Sequence, residues 1–293
     1  MEKAMPTTLE ASAVLTPAEI EGFLENGFVV KERLLGPEII ETLKREIEKI
    51  ATGGYPAAAF PPVSAEAGRS VFESILCVHQ PQWISPAIME FVKHPALTRV
   101  LSRLTGAHLP WWDGSVKCMQ SMFFVKPPGF PGQAWHQDEI YIPTRDRSLI
   151  GAWAAVDDAT VENGCLWVLP GTHRPGILYP QKPHGKPGEF DASEESVGFD
   201  DRDEIPVEIP SGSVVFFNGY LLHRSRVNRS KGYRRAIVNH YMSAASLLPW
   251  GQDAQGVPVA RMDSRKVMLV AGRDPYAWKG EERGSDAHLR RVK

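Results

Sequence analysis

Cysteine is scarce: the 293 residues hold three, Cys77, Cys118 and Cys165. An odd number at wide spacing, with no CxxC pair, excludes a disulfide framework and a zinc knuckle. A reducing interior suits such a chain. No apolar run approaches the length of a membrane span. Met1 to Thr16 shows no basic stretch followed by an apolar core, so no signal peptide is read there. The formal net charge of -2 gives no global basic field for nucleic acid. There is no internal repeat and no low-complexity tract. These absences leave a cytoplasmic protein with neither a membrane nor a nucleic acid as partner. What is present is ordinary: 43% hydrophobic and 23% charged residues over a length that buries a normal core. The reading is one domain over 1–293.

The N-terminal third reads as helical. Residues 1–15 form a loose tail. Thr16-Pro17-Ala18-Glu19 is a helix start, with Thr as N-cap, Pro at the first helical position and Glu three residues after the cap. Asn26-Gly27 ends that helix, and Phe28-Val29-Val30 begins a short strand. Pro37-Glu38 opens a second helix with Ile40, Leu43, Ile47 and Ile50 on one face. Residues 53–70 read as loop, and a third helix covers Pro86 to Leu104.

From Val116 the period changes to that of strands. The β-prone runs are Met119–Val125, Ala134–Tyr141, Leu149–Val156, Cys165–Leu169, Ile205–Ile209, Ser213–Phe217, Leu221–Ser225 and Arg234–Met242. Eight strands in two packed sheets make a jelly roll, here mainly β with flanking helices and a core over 116–242. Residues 171–204 are rich in Gly, Pro and acidic residues with little periodicity. A loop of that length is a candidate lid. The tail from about Gly251 to Lys293 is weakly patterned.

Two histidines and an aspartate carry the chemistry. His136 and Asp138 sit at i and i+2 of a strand, so they share a face and can hold one ion from one side. Gln137 points the other way. His223 completes a triangle, and two imidazoles with one carboxylate leave the opposite face of a metal open, as in non-haem Fe(II) sites. H-x-D alone is a weak signal. Trp135 and Tyr141 flank it with bulky surface that excludes water, and both are candidate substrate contacts. His240 is the rival ligand, read instead as a core or rim histidine. Arg234 follows His223 by eleven positions across the turn Asn228–Gly232. Adjacent antiparallel strands would bring the two together. A buried arginine calls for an anion, and its planar fork suits a carboxylate. Arg235 should face outward, and the rest of the basic cluster from Arg224 to Arg235 reads as solvated loop charge without an aromatic stacking platform. Gly171-Thr172-His173 reads as a turn, and Trp111-Trp112 as packing.

The runs Lys126-Pro127-Pro128, Trp135-His136-Gln137-Asp138, Gly151-Ala152-Trp153, Glu162-Asn163-Gly164-Cys165-Leu166-Trp167 continuing to His173, and His223-Arg224-Ser225 with Asn228 and Arg234 together resemble the phytanoyl-CoA dioxygenase family. The resemblance implies a double-stranded β-helix (cupin-like) fold, Fe(II), 2-oxoglutarate as co-substrate, and O2. It implies oxidation of a C–H bond in a small-molecule or acyl substrate, typically hydroxylation, with release of succinate and CO2. His136, Asp138 and His223 match the iron ligands. Arg234 matches the arginine on the distal carboxylate of 2-oxoglutarate, and Ser225 the hydroxyl that assists it. Met122, Gln137 and Trp153 match positions lining the co-substrate pocket. A family lysine ahead of the first core strand has no clear counterpart. The longer pattern of ectoine hydroxylases is absent, since Arg226-Val227-Asn228 follows His223-Arg224-Ser225. Asp138 stands where halogenating relatives carry a small residue.

Two readings from other classes stand beside this one. A cupin-like module would bind metal and ligand without turnover. A zinc hydrolase would use the same three ligands with a general-base glutamate; Glu139 is adjacent in sequence but should face the opposite side of the strand.

Overall fold

The computed structural model describes residues 14–55, 71–246, 267–279 and 287–291. Most of the expected tail over 1–15, most of the loop over 53–70 and the stretch 251–266 lie outside them.

The first helix, α1 (Pro17–Asn26), begins as its sequence dictates. Thr16 Oγ1 accepts from the Glu19 backbone N–H, the Glu19 carboxylate accepts from the Thr16 N–H, and Gly27 closes the helix at φ 85°. In α2 (Pro37–Ala51) the residues Ile40, Leu43, Ile47 and Ile50 are all buried. The third expected helix is two, α3 (Pro86–Val92) and α4 (Pro95–Leu104). Pro95 has no N–H to continue the first helix and instead opens the second, behind a His94 cap.

Fourteen strands follow in chain order among the described residues: β1 (Phe28–Lys31), β2 (Ile75–His79), β3 (Val116–Phe124), β4 (Gln133–His136), β5 (Ile150–Ala155), β6 (Leu166–Val168), β7 (Gln181–Pro183), β8 (Glu194–Ser196), β9 (Ile205–Val207), β10 (Val214–Asn218), β11 (His223–Ser225), β12 (Ala236–Ser243), β13 (Met268–Ala271) and β14 (His288–Arg291). Each of the eight runs read from the sequence overlaps one strand. The larger sheet runs β1-β10-β5-β12-β3-β2-β14, with β13 also on β3, and the smaller runs β4-β11-β6-β9. All pairings are antiparallel. This is the jelly-roll core, mainly β with flanking helices. The weakly patterned tail contributes two edge strands, β13 and β14. The stretch 171–204 is not structureless: β7 and β8 form a hairpin within it.

Period two divides the larger sheet into two faces. Outward, Ala152, Ala154, Val214, Phe216, Ile237 and Tyr241 join the helix residues Leu43, Ile47, Leu97 and Leu101 in one apolar cluster. Inward, Trp153, Ala155, Val215, Phe217, Ala236 and Val238 meet Leu166 and Val168 of the smaller sheet in a second. Burying one such side chain contributes roughly 1.5–3 kcal/mol, so the sheet is clamped from both sides. The inner cluster does not fill the whole space between the sheets. The gap it leaves is the candidate site. No helix among the described residues is long and apolar enough to cross a membrane.

Candidate metal centre

His136 ends β4, and His223 begins β11 directly opposite it in the register. Their ring centroids lie 4.1 Å apart. Asp138 lies just beyond the strand, at the start of a 3-10 turn over Asp138–Ile140. The i, i+2 argument survives because Gln137 is still extended, at φ -125° and ψ 127°. Asp138 Oδ1 is 3.7 Å from Nε2 of His136 and 3.7 Å from Nε2 of His223. One donor atom from each of the three residues lies within 4.8 Å of the others, and all three residues are buried.

Hydrogen bonds fix which ring nitrogen faces the triangle. Nδ1 of His136 is 2.8 Å from the Ala134 carbonyl and Nδ1 of His223 is 2.9 Å from the Leu221 carbonyl. A carbonyl only accepts, so each Nδ1 carries the proton and each Nε2 offers a lone pair. Burial, with His136 alongside, lowers the His223 pKa to about 4, which keeps the imidazole neutral as a metal ligand must be. Burial alone would raise the Asp138 carboxyl; the neighbouring His240 and His223 outweigh it and hold the group below the usual carboxylate range.

His240 is buried on β12, and its Nε2 is 2.9 Å from Asp138 Oδ2. Gln120 Nε2 reaches its Nδ1 at 3.3 Å. His240 is buried but lines the cavity rather than the apolar core. Its added role is to occupy the carboxylate oxygen that does not face the triangle. Such outer partners orient metal ligands. Packing sets His223 as well. The Phe217 ring lies 4.6 Å from the His223 ring, and it fits there because position 151 is glycine: a Cβ on Gly151 would lie 2.3 Å from the Phe217 ring.

A cavity of about 100 Å³ opens in front of the triad, lined among others by Met122, Tyr141, Trp153, Ser225 and Arg234. Arg234 is 4% exposed, its guanidinium sits 5.4 Å from the Trp153 ring centroid, and its Nε meets no acceptor among the described residues. Burial lowers its pKa to about 10, leaving it charged at neutral pH. A buried lysine, Lys126, donates to Ser225 Oγ at 3.3 Å and to the Arg226 carbonyl. Its carbonyl in turn accepts from the Arg234 backbone N–H at 3.0 Å. Burial and Arg234 together push the Lys126 pKa well down. Nothing in the local sequence marks Lys126 as buried: a lysine beside two prolines reads as a solvated turn. The signal lies in Gly164 at φ 82°, where a Cβ would lie 2.8 Å from Lys126 Nζ.

Several expectations need correction. His223 and Arg234 are not on paired strands: β11 belongs to the smaller sheet, Arg234 lies two residues before β12 of the larger one, and both residues line the cavity. The intervening turn is held by Asn228, whose Nδ2 donates to the carbonyls of Lys126 and Gly232. Gln137 does not line the cavity; its amide is spent on backbone groups of Ile177, Tyr179 and Tyr220. Trp135 also faces away, packed edge-on to Phe199 and hydrogen-bonded through Nε1 to Asp201 at 3.2 Å. One residue of phase separates these two side chains from the ligands. Tyr141 does line the cavity and is 47% exposed. The basic cluster is largely paired rather than solvated: Arg224 and Arg226 meet Glu204, and Arg235 meets Asp157. Glu139 is turned onto Thr144, away from the triad. His173 binds the Leu24 carbonyl at 3.0 Å, as a structural turn residue would, and of the two tryptophans Trp111 is 72% exposed.

Comparison with known proteins gives the same outline. The chain is 27% identical over 282 residues to phytanoyl-CoA dioxygenase domain-containing protein 1 of Bos taurus, covering 82% of this chain and 94% of that one. It is 29% identical over 245 residues to the peroxisomal phytanoyl-CoA dioxygenase of Homo sapiens, covering 79% and 69%. Its fold superimposes on the non-heme alpha ketoglutarate dependent carbocyclase SnoK from nogalamycin biosynthesis with a TM-score of 0.63 at 22% identity, covering 92% of this chain and all of that one. EvdO2 from Micromonospora carbonacea var. aurantiaca, complexed with 2-oxoglutarate, gives 0.60 at 22% identity, covering 83% and 97%. The model of the phytanoyl-CoA dioxygenase (PhyH) family matches residues 23–236, and the chain belongs to that family.

Proposed function

We propose that the protein is a non-haem iron oxygenase that consumes 2-oxoglutarate and O2 and oxidises a C–H bond of a small organic substrate. The observation that carries this reading is one cavity with two parts. One part is an N,N,O donor set with an open side; the other is a buried arginine whose Nε has no acceptor among the described residues. The fit to a divalent metal is good on chemistry. Two imidazoles aim Nε2 at a common point, and the Asp138 carboxylate beside them presents an oxygen there. An Fe(II) ion would be held by His136, Asp138 and His223. With 2-oxoglutarate beside it, that ion supplies the O2 activation that an unactivated C–H bond requires.

The chain's own residues bind, orient and exclude water. Arg234 is the anchor for a distal carboxylate, with Ser225 beside it and the Lys126 side chain donating to the Ser225 hydroxyl. Charge-assisted contacts of this kind are shorter and stronger than neutral ones, and a buried guanidinium makes them at low dielectric. Met122 and Trp153 wall that pocket and keep water from the guanidinium. Tyr141 stands at the opening. A second cavity of about 550 Å³, sharing Leu76, Pro131 and Asp191 with the first, offers room for the substrate's outer part. Glu139 does not support a zinc hydrolase, since its carboxylate is held by Thr144 rather than directed at the triad.

The test is succinate formation from 2-oxoglutarate by the Fe(II)-loaded protein in air. Steady conversion is expected, and Asp138→Ala should abolish it. Binding of metal and 2-oxoglutarate with no succinate, even across a panel of candidate substrates, would identify a binding module instead.

A further inference from the structure

We propose that Gln137 is a positioning residue that couples the seating of the 177–179 segment to the geometry of the metal-binding triad. The inference rests on the reading of His136, Asp138 and His223 as metal ligands. Gln137 is 1% exposed and sits between two of them. Its side chain makes three hydrogen bonds, all to backbone. Nε2 donates to the Ile177 carbonyl at 3.0 Å and to the Tyr220 carbonyl at 2.7 Å, and Oε1 accepts from the Tyr179 N–H at 2.9 Å. One amide therefore joins three things: the strand end carrying His136 and Asp138, the long loop, and the turn three residues before His223.

The surroundings make this joint selective. Trp135, on the same face as Gln137, packs against Phe199, and Tyr179 packs on Phe199 at 5.2 Å. Trp135 Nε1 donates to Asp201. Both ends of the loop thus rest on the two residues that alternate with the ligands. Thr172 adds a fourth tie: its hydroxyl accepts from the Leu222 N–H at 3.0 Å, one residue from His223. If the loop lifts, the Ile177 carbonyl and the Tyr179 N–H lose their partner together, and the Gln137 amide keeps only the Tyr220 carbonyl. Leaving such groups unpaired is costly, so the loop and the Gln137 amide seat as a unit. A ligand that fixes the triad must then favour the seated loop, and the seated loop must favour that ligand by the same factor.

The experiment uses Ni(II), bound to the full-length protein without turnover, read by equilibrium titration and by amide hydrogen exchange. In the wild-type protein, Ni(II) is expected to slow exchange at 177–179 and leave α2 unchanged. Gln137→Met keeps the side chain's length and removes all three hydrogen bonds. It should weaken Ni(II) binding by roughly 10-fold, at the low end of what outer-shell partners contribute, and abolish the metal-dependent slowing. A Gln137 with only a folding role would lower thermal stability without touching either metal-linked readout. Wild-type protein that binds Ni(II) with unchanged exchange at 177–179 overturns the proposal and leaves the metal site standing. So does Gln137→Met with wild-type affinity. Wild-type protein that binds no Ni(II) removes the metal site itself and this inference with it. Should Gln137→Met fail to fold, the wild-type exchange comparison alone decides.

Discussion

The two faces of the larger sheet are built from the same strands and do different work. On β12, Ile237 and Tyr241 point into the apolar layer beneath the helices, while Val238 and His240 point between the sheets. On β5, Ala152 and Ala154 go outward and Trp153 inward. The outer face is packed with apolar side chains. The inner face is filled only part of the way, and the remainder carries buried basic side chains, imidazoles and a carboxylate. A single alternation supplies both, so the face that holds the fold together also fixes the depth and angle of the groups opposite. The lesson is that burial alone does not identify core: His240, Arg234 and Lys126 are as buried as the aliphatic residues behind them.

Substitutions on each face should separate stability from binding. The largest effect on the outer face is expected from Phe216→Ala, which removes a fully buried ring and should cost about 3–5 kcal/mol of unfolding free energy. Denaturant titration reads this, and metal affinity of the folded fraction should stay near wild type. On the inner face, Arg234→Ala should raise the 2-oxoglutarate requirement by roughly 100-fold, since it removes two charge-assisted hydrogen bonds of about 1.5–3 kcal/mol each, partly replaced by water. Metal binding should persist in that variant. An unchanged requirement would put the diacid's anchor elsewhere. His240→Ala comes next: it frees Asp138 Oδ2 and should weaken metal binding roughly 10–100-fold, measurable by competition with a chelator. Smallest is Thr16→Ala, which removes the exposed α1 cap. It should cost about 1 kcal/mol of stability and leave metal and diacid binding untouched.

The parts legible in the sequence are those whose cause is local. The capping box at Thr16, the apolar stripe of α2 and the eight alternating runs each depend on neighbours within a few residues. His136, Asp138, His223 and Arg234 stood out because a histidine–carboxylate pair and an arginine in β-prone runs have few other uses. What was not legible depends on register and on phase at strand ends. The His240–Asp138 contact joins residues 102 positions apart. It exists because β12 lies beside β3 and β5 while β4 lies in the other sheet. Gln137 and Trp135 flank the ligands in sequence, yet their side chains leave the cavity for the loop. Lys126 is buried because a distant glycine yields space. The tail strands β13 and β14 have too little pattern of their own and take their extended form from β3 and β2.

The central claim is that His136, Asp138 and His223 converge on one metal. An anomalous-difference map at the iron edge, from crystals grown with Fe(II) in the absence of oxygen, tests it most directly. The account predicts a single peak per chain, about 2.0–2.2 Å from Nε2 of both histidines and from one Asp138 oxygen, a spacing typical of imidazole and carboxylate ligands. Iron that binds in solution but gives its peak away from these three side chains would contradict it.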